Sequence, residues 1–148
     1  VAACPETINP LLEQGMRFVE LSRFAIDKDA VAEVPLLPAL THRLSVMMTI
    51  HLNADYCIGL LKLKHEAYYR RMFRATRLAG PFVPDGMFPD TVLLGVSRAN
   101  QAYVTGRNPI FFFTPTEARL LFEEPRDALP PLCVRPTARF VMRARDAA

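Results

Sequence analysis

The chain has 148 residues, 51% of them hydrophobic, enough for one globular domain with a real core. A formal net charge of +3 and a pI near 9.0 are too mild a surplus to argue for a nucleic-acid partner, and no apolar run approaches the roughly 18 residues of a membrane-spanning helix. Cys4, Cys57 and Cys133 are odd in number, far apart and in no C-x-x-C spacing, which indicates neither a disulfide framework nor a zinc knuckle and fits an untargeted protein of the reducing cytoplasm.

Residues 16–26 (M-R-F-V-E-L-S-R-F-A-I) are rich in aromatic and branched residues and read as a strand ending at Asp27-Lys28-Asp29. Alternation puts Phe18, Glu20, Ser22 and Phe24 on one face, and Val19, Leu21, Arg23 and Ala25 on the other. Leu36, Leu40, Leu44 and Met47 then recur at helical spacing, widened by Leu37, Val46 and Ile50, predicting a helix over residues 36–52 that Asn53-Ala54-Asp55 ends. Residues 56–63 (Y-C-I-G-L-L-K-L) form a nearly continuous apolar run, the pattern of a strand buried on both faces, and within it Cys57 reads as a small core residue.

A second helix is expected over residues 65–73, a loop over the Pro- and Gly-rich residues 80–89, and another strand over 91–96. Strands alternating with helices argue for a mixed α/β sheet with helical crossovers, the first two strands being parallel neighbours. Residues 110–113 read as an edge strand, and Thr114-Pro115-Thr116-Glu117 as a capping box that opens a helix to about Phe122. The expected domain spans residues 1–123. From residue 124 Pro and Arg dominate, with Arg135, Arg139 and Arg143 four residues apart, a composition that suits a solvated tail or a partner-binding arm.

Several chemistries lack their motifs: G-x-G-x-x-G, G-x-x-x-x-G-K-[ST], G-x-S-x-G and H-E-x-x-H are absent. His42, His51 and His65 have no metal-ligand spacing and read as surface or satisfied core histidines, so no metal site is expected.

The run E-L-S-R-F-A followed by a branched residue and Asp resembles the fourth strand of autoinducer synthases. The segment K-H-E-A-Y-Y-R-R-M-F, followed by Gly80-Pro81 and P-D-T-V-L-L, is similar to the end of N-acyl amino acid synthases. Order and spacing over residues 16–96 resemble a GNAT acyltransferase fold from its fourth strand onward. Such a domain begins with further strands and helices, whereas about 15 residues precede this first strand, so the resemblance implies the C-terminal part of the full fold. It also implies transfer of a fatty acyl group from a thioester to the amine of an amino acid or related metabolite. Acyl-homoserine lactone synthesis and a non-catalytic partner-binding module are the alternatives.

Within that resemblance Glu20 matches the proposed base, Ser22 the motif serine and Arg23 the motif arginine. A carboxylate between Phe18 and Phe24 on a buried strand would lose solvation, a condition that suits a general base; a buried Arg or backbone donors could equally satisfy it. Arg23, on the other face, suits a structural ion pair as well as donor binding. Tyr68 or Tyr69 falls where such enzymes carry the acid that protonates the departing thiolate; Tyr69 is taken as the candidate, with a core tyrosine as the other reading. Before the first helix the chain reads D-A-V-A-E-V-P-L-L-P, without the pyrophosphate-binding loop of coenzyme-A-using relatives, which favours an acyl carrier protein as donor and no permanently bound cofactor. Arg70, Arg71 and Arg74, with Arg77, form a basic cluster on which an acidic carrier protein could dock, or an ordinary solvated helix face.

Overall fold

A computed structural model describes residues 3–22, 24–83 and 89–124. The expected tail from residue 125 onward, with Cys133 and its arginines, and Arg23 all lie outside these described residues.

The first element is a helix that the sequence reading passed over. α1 (Pro5–Glu13) carries Pro10 in its interior, normally a helix-breaking residue, yet Pro5 stands in its first turn and Ile8 is fully buried. Gly15, at φ +80°, closes it with Gly15 N–H donating to Leu12 O (2.8 Å) and Met16 N–H to Leu11 O (3.0 Å). That turn delivers the chain into β1 (Phe18–Glu20), far shorter than the expected strand over residues 16–26. Residues 21, 22 and 24–26 are not strand. Asp27 then caps the short helix α2 (Lys28–Glu33), accepting from Asp29 N (2.9 Å) and Ala30 N (3.0 Å), in the stretch where the pyrophosphate loop is missing.

α3 (Leu37–His51) matches its expected span to one residue at each end and stops at Asn53, whose φ is +52°. Its buried positions are His42, Arg43, Val46, Met47 and Thr49, whereas Leu36 is exposed, so the face that packs is rotated from the leucine stripe read in the sequence. β2 (Tyr56–Lys62) follows, then a 3₁₀ turn over Leu63–His65 and α4 (Glu66–Phe73). β3 (Thr76–Phe82) runs into the segment expected to be a loop. It is an edge strand with register shifts, the position in a sheet that tolerates Pro81.

β4 (Thr91–Ser97), buried from Thr91 to Gly95, pairs with β2 and β3. α5 (Arg98–Arg107), capped by Ser97, and α6 (Pro115–Phe122), capped by Thr114, complete the described chain. Between them Pro109–Phe111 forms a 3₁₀ turn where an edge strand was expected, because Asn108 caps it through Ile110 N and Ile110 and Phe111 turn inward as core.

The sheet order is β1-β2-β4-β3, with β1 parallel to β2 and the other pairs antiparallel. The expected mixed sheet and its parallel first pair are therefore present. α1 covers one face, where Cys4 and Ile8 pack on Ile58 and Leu93. On the other face α3, α4 and α5 pack around Val46, Phe73, Val104 and Phe111. Among the described residues no helix is long and apolar enough to cross a membrane.

Candidate active site

β1 and β2 stay together for three residue pairs, Phe18 with Tyr56, Val19 with Cys57 and Glu20 with Ile58. One more bond, Leu21 N–H to Ile58 O at 2.8 Å, ends the ladder. Beyond it, among the described residues, β2 continues to Lys62 with β4 as its strand neighbour, and Phe24 lies against His42 of α3. Gly59 stands at the fork, where a Cβ would come within 3.1 Å of Leu21 O. At this fork, where β1 ends and β2 runs on, a pocket lies beside Leu21 and Cys57.

That pocket lies on the side of α3 and α4. Leu21 and Cys57 form its sheet side with Val96 of β4; His42, Ser45 and Val46 come from α3, Tyr69 and Phe73 from α4, and Gln101 from α5. The spacings 42, 45, 46 and 69, 73 are those that align side chains on one helix face, so two helices each turn one row toward the fork. Its wall is almost wholly apolar apart from a few polar groups.

Those groups are ordered. The Tyr69 hydroxyl lies 3.2 Å from His42 Nε2, and the two rings meet edge to face at 5.2 Å. Phe24, from the departing segment, stacks on the other side of His42 at 4.3 Å and 9°. His42 is 3% exposed, and burial holds it neutral, its pKa lowered to about 4. Burial pushes the Tyr69 phenol up to about 12, helped by Tyr68 and Cys57, so it keeps its proton throughout the neutral range. Burial also raises the Cys57 thiol, against hydrogen bonds with Thr49 and Ser45 that lower it. The arrangement is a shielded phenol that stays protonated beside a neutral imidazole.

The expected site residues divide. Tyr69 lines the pocket, and Tyr68, half-buried, packs edge to face on Tyr69 at 5.3 Å and is not among the lining residues. Glu20 is exposed at the last position of β1. By alternation it shares the side of Phe18, which packs toward α1, while Val19 and Leu21 pack with Cys57 on the pocket side. The desolvated slot between Phe18 and Phe24 does not form, because Phe24 has left the sheet for His42. Ser22 is exposed beyond the strand end, so the strand face it was to share with Glu20 stops short of it. Arg23 lies outside the described residues.

The arginines also separate. Arg77 pairs with buried Glu66, its Nε 3.2 Å from Oε1, and Arg70 lies 3.8 Å from the same carboxylate. Arg74 ends α4 at φ +55° and lies 4.1 Å over the Tyr103 ring, with Arg107 5.1 Å from that ring. Arg71 is exposed. The four arginines all remain exposed, but Arg70 and Arg77 are turned to Glu66 while Arg74 joins Arg107 over Tyr103. His42 is the residue that sequence reasoning missed; its helical register with Val46 was readable, whereas its meeting with Tyr69 and Phe24 depends on three elements converging.

The family model of FeeM, an N-acyl amino acid synthase, matches residues 1–97 of this chain. The chain belongs to the FeeM family. The structure of FeeM itself, an N-acyl amino acid synthase from uncultured soil microbes, shares the fold with a TM-score of 0.59 at 13% sequence identity. The match covers 69% of this chain and 54% of FeeM, so the chain spans about half of FeeM's length. No curated protein matches it. The FeeM-family region ends with β4, and α5 and α6, which pack against α3 and supply Gln101 to the pocket, lie beyond it.

Proposed function

We propose that the chain carries out acyl transfer as FeeM-family enzymes do: a fatty acyl group leaves a thioester and joins the amine of an amino acid. The observation that carries this reading is Tyr69, a protonated phenol held in an almost wholly apolar pocket directly beneath the fork between β1 and β2. In this reading the domain is a GNAT-like acyltransferase and the thioester enters the fork. The amine attacks the thioester carbon, a C–N bond forms, and the C–S bond breaks. Tyr69 gives its proton to the departing thiolate, and the proton lost by the amine goes to a base. Glu20, exposed at the point where the strands part, is the candidate for that base, reached from the α1 side; Ser22 follows it on the outgoing segment. The apolar wall excludes water, which protects the thioester from hydrolysis.

The donor in this proposal is an acyl carrier protein. Supporting it are α2 in place of a pyrophosphate loop and the exposed arginines beside Tyr103, which suit an acidic partner. The test is to mix the protein with acyl carrier protein thioesters and a panel of amino acids and to follow free thiol. Thiol release that depends on both partners supports the reading, and a folded protein that releases none in any pairing overturns it in favour of a binding module.

A further inference from the structure

We propose that His42 is a positioning residue for Tyr69, donating its Nε2–H to the phenol oxygen so that the phenol's own proton points into the pocket. The inference rests on the acyl-transfer reading for its purpose, though the hydrogen bond can be tested without it.

A phenol oxygen can both accept one hydrogen bond and donate its own proton, and only the second of these serves a leaving thiolate. At 3.2 Å from Nε2, the Tyr69 oxygen has one of two arrangements. If Tyr69 donates to the ring nitrogen, its proton is turned away from the pocket and must be withdrawn from His42 before it can act. If His42 donates, the proton stays available, and the phenolate formed by giving it up keeps a partner in a water-poor site where an unpaired charge is costly.

The surroundings show a ring held in place. Phe24 stacks on one side of the imidazole at 4.3 Å. Tyr69 and Phe73 meet it edge to face at 5.2 and 5.3 Å, and Tyr68 is tilted toward it at 6.4 Å. These ring partners come from the outgoing segment of β1 and from α4, and none carries a formal charge at neutral pH. An imidazole clamped by four aromatic rings and hidden from solvent orients its neighbour rather than exchanging protons with water. Phe24 gives the arrangement a second consequence: the segment that opens the fork also covers His42, so the same chain departure creates the pocket and fixes the pair.

The experiment has two arms on the full chain. Long-range proton–nitrogen NMR at neutral pH reads which imidazole nitrogen of His42 carries the proton, with no donor or acceptor present. A proton on Nε2 supports the proposal, and one on Nδ1 with Nε2 accepting overturns it. The second arm compares turnover in His42→Phe, which keeps an aromatic ring under Phe24 but loses the donor, and His42→Gln, which restores a side-chain N–H.

The expected result is a fall in kcat of about 10-fold or more for His42→Phe with KM for the thioester little changed, and partial recovery for His42→Gln. In a Tyr69→Phe background, His42→Phe should cost nothing further, because its role runs through the phenol. A full additional loss in that background overturns the proposal. Should His42→Phe fail to fold, the NMR arm on the unsubstituted protein decides. An Nε2 proton together with no turnover in the unsubstituted chain upholds the pair and overturns the acyl-transfer reading alone.

Discussion

His42 also predicts a dependence of stability on pH, and the sign follows from its burial. Its folded pKa of about 4 lies below the ordinary 6.5, so between these values the unfolded chain binds a proton that the folded chain refuses. The penalty is absent above pH 6.5, grows as pH falls, and is complete below 4, where it amounts to roughly 3 kcal/mol at 1.36 kcal/mol per pH unit. His42→Phe should remove it. Urea unfolding of the two proteins at pH 7, 5 and 4 should show the variant gaining relative to the unsubstituted protein as pH drops, and parallel curves would mean that the histidine is not held neutral. Most of this could not be read in the sequence. A lone histidine on an apolar helix face looks like a satisfied core residue, and here it is one, but its partner Tyr69 is 27 positions away and Phe24 belongs to a segment that reads as strand.

At the scale of elements, the legible parts were those whose signal is local and strong. The apolar run of β2 and β4, the helical spacing of α3 and the capping box of α6 each specify an element without help from the rest of the chain. The illegible parts were decided by neighbours. α1 holds despite Pro10 in its interior because Ile8 is buried against the sheet; β3 carries Gly80 and Pro81, which an edge strand accommodates. β1 stops at Glu20 although the sequence after it has strand composition, and Leu21 brings its carbonyl close to Gly59, where a side chain would meet it. Gly59→Ala should press a methyl group onto the Leu21 carbonyl and lower stability by about 1 kcal/mol, read as a shift of the urea midpoint. No change would show that the fork has slack there. The basic surface makes a second prediction at this scale. Reversing Arg71 and Arg74 to Glu should slow transfer from acyl carrier protein at low salt, with the effect shrinking as salt screens charges beyond about 8–10 Å. Acyl coenzyme A should be affected less, and equal slowing of both donors at every salt concentration would assign those arginines to folding.

Across the whole molecule, the FeeM-family region provides the sheet and the fork, and the chain beyond it anchors the helical layer from below. Arg43 of α3, buried, reaches Glu117 of α6 at 2.8 Å and the Phe112 carbonyl at 2.8 Å, while Phe111 packs on Phe73 at 5.5 Å. The ion pair links α6 to the helix that carries His42, and the 3₁₀ turn before α6 packs on Phe73 of the pocket lining. Removing the carboxylate would strand a buried cation, so Glu117→Ala should cost about 3–5 kcal/mol in unfolding experiments. A cost below about 1 kcal/mol would show that α6 does not hold α3 in place. The helical layer is thus braced by a segment beyond the family match, and residues of both parts line the pocket. The measurement that bears most directly on this account is amine-dependent thiol release, followed in a single turnover for the unsubstituted protein and for Tyr69→Phe at equal stability. The account predicts release that requires both thioester and amino acid and falls by about 10²-fold or more when the phenol is removed; equal rates from the two proteins would contradict it.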